Sequence, residues 1–234
     1  MEAAAAQILV ASPVVRSLEE QPLTIWYAWD DVGGIELLAG PPLRKPPLPR
    51  RASYIVPDFL VQFHSGAQHL IEVKPSAKLA RPDVQRKLSV ARQFAERQGW
   101  TFHVVTEREL RVGPLLNNVR LLNRFRCVSV SVEMARHIQE LVAGQPRRWL
   151  DMAQKLSAHA PIAIAKTWLL HLAATGQLDI DPRGAPITDA TLLYPGGTIA
   201  WDPFDSVWVP SGSSTVGPSG SSANSAPTNS LPKT

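Results

Sequence analysis

The chain has 234 residues, 44% of them hydrophobic, which is enough for one ordinary domain and a smaller one, each with a filled core. Lysine and arginine outnumber aspartate and glutamate by 24 to 20, and the pI near 9.5 suits a polyanionic partner without requiring one. The single cysteine, Cys127, excludes an internal disulfide and a multi-thiolate metal site, and no apolar stretch approaches the roughly 20 residues that cross a bilayer. We therefore expect a cytoplasmic protein that has no membrane partner.

The first part of the chain predicts a helix, a strand and a basic loop. An alanine-rich helix over residues 2–11 ends at Ser12-Pro13, because a proline ring disfavours helical geometry in the residue before it. A cluster of β-branched and aromatic residues predicts a strand over residues 23–29. Residues 40–51 hold five prolines among basic side chains, so we expect them to form an extended, exposed and positively charged loop.

The next part predicts a β-hairpin followed by a strand–helix–strand unit. Residues 55–63 and 69–74 are strand-like runs that flank the turn signal Ser65-Gly66. Residues 82–98 carry apolar side chains at three- and four-residue steps, which predicts an amphipathic helix. Residues 101–106 are predicted to form a buried strand, and a crossover of this length favours a parallel neighbour.

Three regions follow from these patterns. The order helix, three strands, helix and strand (αβββαβ) predicts an α/β domain over residues 1–126. Residues 127–200 are predicted to form a second, helical domain that resembles a winged helix-turn-helix. Residues 201–234 are rich in serine, glycine and proline and have little to bury, so we predict a disordered tail. The helices of the second domain are predicted over residues 133–143, 148–157 and 161–175.

Three charged side chains interrupt the otherwise apolar hairpin. Asp58 follows Pro57, and Glu72 lies fourteen residues after Asp58 and two residues before Lys74. If the turn contains an odd number of residues, these three side chains share one face of the hairpin with Gln62. The other face then carries the apolar side chains Phe59, Val61, Phe63, Ile71 and Val73.

Charged groups within apolar strands are unfavourable unless they are paired, solvated or bound to a cation. Carboxylates suit Mg²⁺, with Mn²⁺ as a second possibility, and Mg²⁺ commonly takes one or two protein carboxylates together with phosphate oxygens. Asp58 and Glu72 are therefore candidate metal ligands. Lys74 is a candidate catalytic residue that orients or deprotonates the attacking water and stabilises charge on phosphorus oxygens. The competing interpretation is a solvated Glu72–Lys74 pair at a strand edge, with Asp58 as a turn residue.

Four segments carry a resemblance to a known family. They are, in chain order, EEQPLTI at 19–25, PDFLV at 57–61, IEVKP at 71–75 and GWTFHVVTE at 99–107. Over residues 2–126 the sequence resembles the TnsA transposase endonucleases, which are nucleases of the PD-(D/E)XK superfamily. The resemblance implies a restriction-endonuclease-like mixed-sheet core, followed by the winged-helix-like domain.

The same resemblance implies a function. It implies a metal-dependent DNA endonuclease subunit of a heteromeric transposase, which cleaves the 5′ strands at transposon ends by phosphodiester hydrolysis. The implied partners are double-stranded DNA of the transposon ends, a DDE-type transposase subunit and an ATPase regulator subunit. The implied location is the bacterial cytoplasm, with nucleoid association during transposition. Two alternatives stay open: a free-standing restriction or repair nuclease, and a catalytically weak assembly subunit that binds DNA.

The family pattern also includes a third acidic residue on the first helix. The position that matches it is Glu2, which the resemblance implies as a catalytic residue and a metal ligand. Glu20 is the alternative third ligand. Glu19 and Glu20 are equally interpretable as solvated residues at the entrance to the first strand.

Candidate DNA contacts are basic residues on loops and on a helix surface. Lys87 and Gln85 lie on the helix predicted after the hairpin, and an ordinary solvated helix surface is the competing interpretation there. The remaining candidates are in the basic loop, where contact with DNA phosphates and simple solvation are both open. These loop residues are Arg44, Lys45, Arg50 and Arg51. The six histidines show no metal-ligand spacing and are assigned no role.

The second domain presents few charges for a DNA-reading helix. Its third predicted helix carries Lys166 and His171 among mostly apolar residues. A helix that reads DNA usually presents several hydrogen-bond donors to the groove and phosphates. We therefore expect protein docking to be the larger task of this domain.

Overall fold

The computed structural model describes residues 1–42 and 51–206. In chain order, the elements of its first half are α1 (Glu2–Ala11), β1 (Val15–Glu20), β2 (Ile25–Trp29), β3 (Ile35–Leu38), β4 (Arg51–Ile55), β5 (Phe59–Phe63), β6 (Gln68–Val73), a 3-10 turn (Ser76–Lys78), α2 (Pro82–Gln98), β7 (Thr101–Val105), α3 (Glu107–Leu110) and α4 (Leu115–Asn123). Those of its second half are α5 (Val132–Val142), β8 (Arg147–Arg148), α6 (Trp149–Leu156), α7 (Ile162–Ala174), β9 (Leu178–Asp179), β10 (Leu192–Pro195) and α8 (Pro203–Ser206).

The main sheet is mixed and has the strand order β1-β5-β6-β7. Strand β5 is antiparallel to both β1 and β6, whereas β6 and β7 are parallel. Helix α2 makes the crossover between the two parallel strands and ends at Gly99, whose φ of 72° is the left-handed conformation that glycine tolerates. The predicted α/β class with a restriction-endonuclease-like mixed-sheet core is confirmed.

The first strand of the main sheet is β1, which the sequence patterns did not predict. The strand predicted over residues 23–29 forms as β2, but it belongs to a separate three-stranded sheet of order β3-β2-β4. The register of β1 against β5 shifts between Val15 and Ser17. This bulge places Val15 and Leu18 against the same core three residues apart, so β1 lacks the two-residue alternation that identifies strands.

Each face of the main sheet packs against a different layer. One face carries Phe59, Val61 and Ile71, which pack against α1 and α4. The other face carries Leu70, which packs against α2 and, through it, the three-stranded sheet. The apolar side of the hairpin therefore lies in the first of these cores, as the sequence predicts, and the charged residues lie on the α2 side.

A segment from near the end of the described chain completes the first core. Trp201 and Phe204 are buried with α1 and the main sheet, and the hydroxyl of Ser12 donates to the carbonyl oxygen of Trp201 at 2.8 Å. The sequence patterns assign residue 201 onward to a disordered tail, whereas these two aromatic side chains are part of the core. Residues 207–234 of that predicted tail lie outside the described residues.

The second half builds a core of its own. Helices α5, α6 and α7 enclose Met152, Leu156 and Leu169, and a small sheet of order β8-β10-β9 lies beside them. The three helices coincide with those predicted from the sequence. None of the described helices is long and apolar enough to cross a membrane.

Helix α4 joins the two halves. Val119 packs in the first core and Leu122 in the second. The neighbouring Asn118 is buried and donates through Nδ2 to the carbonyl oxygens of Pro182 and Ala185, each at 2.8 Å. Its Oδ1 accepts from the N–H of Ile187 at 3.0 Å, so this side chain fixes a loop of the second half to the first.

Candidate active site

The β5–β6 hairpin has the geometry that places its charged residues together. Residues 64–66 form a three-residue turn, closed by the N–H of Phe63 donating to the carbonyl oxygen of Ala67 at 2.9 Å. Gly66 adopts a φ of 89°, which a side chain would disfavour. Because this count is odd and Leu60 pairs with Leu70, Asp58 and Glu72 come to lie on the same face.

The three predicted catalytic side chains of the hairpin meet at one point. Nζ of Lys74 lies 2.6 Å from Oε1 of Glu72 and 3.9 Å from Oδ2 of Asp58. The same Oδ2 of Asp58 accepts the N–H of Val73 at 2.6 Å. Glu72 is only 3% exposed, and its second oxygen, Oε2, is buried and accepts no hydrogen bond from the part of the chain that the structure describes. The competing interpretation of a solvated edge pair does not fit this burial.

Burial and the neighbouring charges shift the pKa values of Asp58, Glu72 and Lys74. Burial raises the pKa of Asp58, against the lowering effects of the Val73 N–H and of Lys74. Burial likewise raises the pKa of Glu72, and the nearby charge of Asp58 adds to that effect. Burial alone would lower the pKa of Lys74, but its hydrogen bond to Glu72 and the two carboxylate charges raise that pKa above the ordinary value. Lys74 therefore acts as an ammonium group that donates hydrogen bonds.

The residues present fit a divalent cation. Oε2 of Glu72 is a buried acceptor without a donor, and both carboxylates have pKa values raised by their surroundings, so a cation would relieve both conditions. Within residues 1–42 and 51–206, no group of three or more His, Cys, Asp or Glu side chains is arranged to hold a metal. Such a cation would be held by the two carboxylates, and water and substrate oxygens would complete its coordination.

Glu2 lines the same cleft as Glu72 and Lys74, whereas the alternative ligand Glu20 does not. Glu2 is the first residue of α1 and lines, with Glu72 and Lys74, a cleft of about 460 Å³. Its negative charge also contributes to the raised pKa of Asp58. Glu20 is exposed at the end of β1 opposite Phe59, and it does not line this cleft.

The residues predicted to contact DNA lie in different parts of the structure. Lys87 is exposed and lines the active-site cleft. Gln85 donates to the carbonyl oxygen of Leu79, so its side chain contacts the preceding loop. Arg51 starts β4 in the three-stranded sheet, and its guanidinium lies 3.9 Å from Asp31. Arg44, Lys45 and Arg50 lie outside the described residues.

Sequence reasoning missed several residues around the site. Lys78 and Arg81 line the same cleft as Lys87, on the loop between β6 and α2. Glu107 accepts the N–H of Ser76 at 2.9 Å and also accepts the Ser76 hydroxyl, and these bonds lower the pKa of Glu107 to about 2. This contact holds the loop that directly follows Lys74. Only the tertiary fold brings these groups together, so no spacing in the sequence indicates them.

Comparison with known families identifies the first domain. Residues 12–107 match the family model described as TnsA-like endonuclease N terminal. This span covers β1 to β7 and contains Asp58, Glu72 and Lys74, whereas Glu2 lies before it. A search of curated proteins gave no match to the chain. Residues 12–107 are therefore similar to the N-terminal domain of TnsA-like endonucleases, which supports a nuclease of the transposase type.

Proposed function

We propose that the protein hydrolyses a phosphodiester bond in the 5′ strand at transposon ends, as the endonuclease subunit of a heteromeric transposase. The observation that carries this proposal is the convergence of Asp58, Glu72 and Lys74 on one face of the hairpin within a TnsA-like domain. The proposed cofactor is Mg²⁺, with Mn²⁺ as an alternative, held by Asp58 and Glu72. Glu2 is proposed as a further acidic residue of the same site.

The chain's own residues support such a reaction in distinct ways. A bound divalent cation supplies a Lewis acid and lowers the pKa of the attacking water. Asp58 is oriented by the Val73 N–H, and Glu72 is oriented by Lys74, so both carboxylates are fixed before substrate arrives. Lys74, as an ammonium, donates to the phosphoryl oxygen on which negative charge grows. The water oxygen bonds to phosphorus and its proton passes to solvent, while the bond from phosphorus to the bridging oxygen breaks and that oxygen takes up a proton from solvent to leave as a hydroxyl.

The second half of the chain is proposed to act in assembly. Its order of helix, strand, helix, helix, strand and strand, with the sheet order β8-β10-β9, supports the interpretation as a winged helix-turn-helix. Lys166 on α7 is already paired with Asp189, Nζ to Oδ1 at 2.6 Å. This pairing leaves α7 with little free charge for DNA, which supports docking to the transposase and ATPase subunits. The proposed location is the bacterial cytoplasm, with nucleoid association during transposition.

A strand-mapping assay tests the proposal. The full chain is mixed with its DDE-type transposase, duplex DNA carrying both transposon ends and Mg²⁺, and nicks on each strand are mapped. We expect 5′-strand cuts that require this protein and disappear with Asp58→Ala, while 3′-strand processing continues. Cutting of unrelated DNA by the lone protein would instead identify a free-standing nuclease. Products unchanged by Asp58→Ala would identify a non-catalytic assembly subunit.

A further inference from the structure

A second cleft adjoins the active-site cleft at the start of the chain. It has a volume of about 320 Å³ and is lined by residues of α1, α3, α4 and the segment between α3 and α4. Met1 lines both clefts. Glu107 of the second cleft is hydrogen-bonded to Ser76, in the turn that ends at Lys78 of the active-site cleft. The two clefts therefore adjoin at Met1, and together they are here called the basic groove; its active-site end is lined by Glu72 and Lys74.

Unpaired cations line both ends of the basic groove. Lys78 and Lys87 are exposed at the active-site end, and Arg111 and Arg120 are exposed at the other. Within the described parts of the chain, none of these four makes an ion pair. Arg120 makes a contact with a neutral side chain: its Nε donates to Oε1 of Gln7 at 3.3 Å.

Three acidic side chains line the active-site cleft, namely Glu2, Glu72 and Asp83, and Glu107 lines the second cleft. Glu107 accepts two hydrogen bonds from Ser76, and Asp83 is paired with Arg81 through two contacts of 3.1 Å. Glu109 accepts from the N–H and hydroxyl of Thr106 in a helix cap. Basic side chains still outnumber acidic ones in each cleft: Arg111 and Arg120 against Glu107 in the second cleft, and Lys74, Lys78, Arg81 and Lys87 against Glu2, Glu72 and Asp83 in the active-site cleft. The groove therefore carries net positive charge on both sides of Met1.

We infer that the second cleft binds the phosphate backbone of the duplex whose strand enters the active site, and that Arg111 and Arg120 contact its phosphates. The inference rests on the proposed function, because the groove leads directly to the proposed hydrolytic centre. Guanidinium groups suit this role, since their fixed donors match phosphate oxygens. The contacts supply affinity and orientation rather than sequence recognition.

The test is the salt dependence of DNA binding by the full chain. The double variant Arg111→Ala/Arg120→Ala is compared with wild type by fluorescence anisotropy on duplex DNA, without divalent ions so that no cleavage occurs. Each lost phosphate contact lowers the slope of log affinity against log salt by about 0.9. We therefore expect the slope to fall by about 2 and the affinity to fall with it.

The charge-matched control is Arg92→Ala/Arg97→Ala. Both residues are exposed on α2 and line neither cleft. This control removes the same net charge as the test variant. Because both residues lie outside the basic groove, the salt-dependence slope of the control is expected to stay near that of wild type. Equal slopes for the two double variants would overturn the inference while the proposed function stands. Failure of wild type to bind duplex DNA at low salt would overturn both.

Discussion

Replacing Glu72 with glutamine is expected to lower the rate of DNA cleavage by at least about 100-fold while the protein stays folded. Glutamine has nearly the same shape as glutamate but lacks the charge that holds a divalent cation. We expect cleavage to depend most strongly on Glu72, because no donor within residues 1–42 and 51–206 satisfies its buried Oε2. The measurement is the single-turnover cleavage rate in the complete transposase mixture with Mg²⁺, together with a thermal unfolding curve.

Glu20→Gln is the matched control for this experiment. It removes the same charge from an exposed position at the end of β1, outside the active-site cleft. We expect this variant to cleave at close to the wild-type rate, which would also remove Glu20 as the third ligand. Cleavage by Glu72→Gln at the wild-type rate would contradict the proposed role of the carboxylate.

Replacing Phe204 with alanine is expected to destabilise the nuclease domain by about 3 to 5 kcal/mol. Phe204 is buried and stacks on the rings of Phe63, His69 and His103, with the closest ring centroids 4.0 Å apart at His103. Removing this ring leaves a cavity in the first core and opens the two histidines to water. The measurement is the free energy of unfolding from denaturant titration. Phe204→Leu is expected to lose less stability than Phe204→Ala, because leucine fills part of the cavity.

The stacked pair His69 and His103 supplies a second measurement for the Phe204→Ala variant. Nδ1 of His69 lies 2.8 Å from Nε2 of His103, and burial, with a further effect of the His69 charge, lowers the pKa of His103 to about 4. The Phe204→Ala substitution should move the pKa of His103 back towards 6.5, the ordinary value for histidine, which an NMR titration would detect. Unchanged stability and an unchanged His103 pKa would show that the segment at residues 201–206 does not pack as described.

The charged cluster was predictable because it depends on local geometry. A short turn and a two-residue period decide which side chains of a hairpin share a face, so Asp58, Glu72 and Lys74 were assigned together from sequence. The helices of the second half follow from similar short-range periods, whereas the mixed-sheet core was implied by the family resemblance. The proximity of Glu2 was implied by the family resemblance, and the structure places it in the same cleft.

The features that sequence reasoning missed depend on irregular or long-range contacts. Strand β1 contains a bulge after Val15, which breaks the alternation on which strand prediction relies. Trp201 and Phe204 sit beside a serine- and glycine-rich region, and only contact with α1 and the main sheet explains their burial. Arg111 and Lys78 are distant in sequence. They line the two clefts that adjoin at Met1, and only the folded chain brings these clefts together.

The most direct test of a metal site at Asp58 and Glu72 is an anomalous difference map from crystals of the full chain grown with DNA and Mn²⁺. The account predicts an anomalous peak about 2.0 to 2.3 Å from a carboxylate oxygen of each residue, with Lys74 still nearby. Ordered side chains of both residues with no such peak, at a Mn²⁺ concentration that supports full cleavage, would contradict the account.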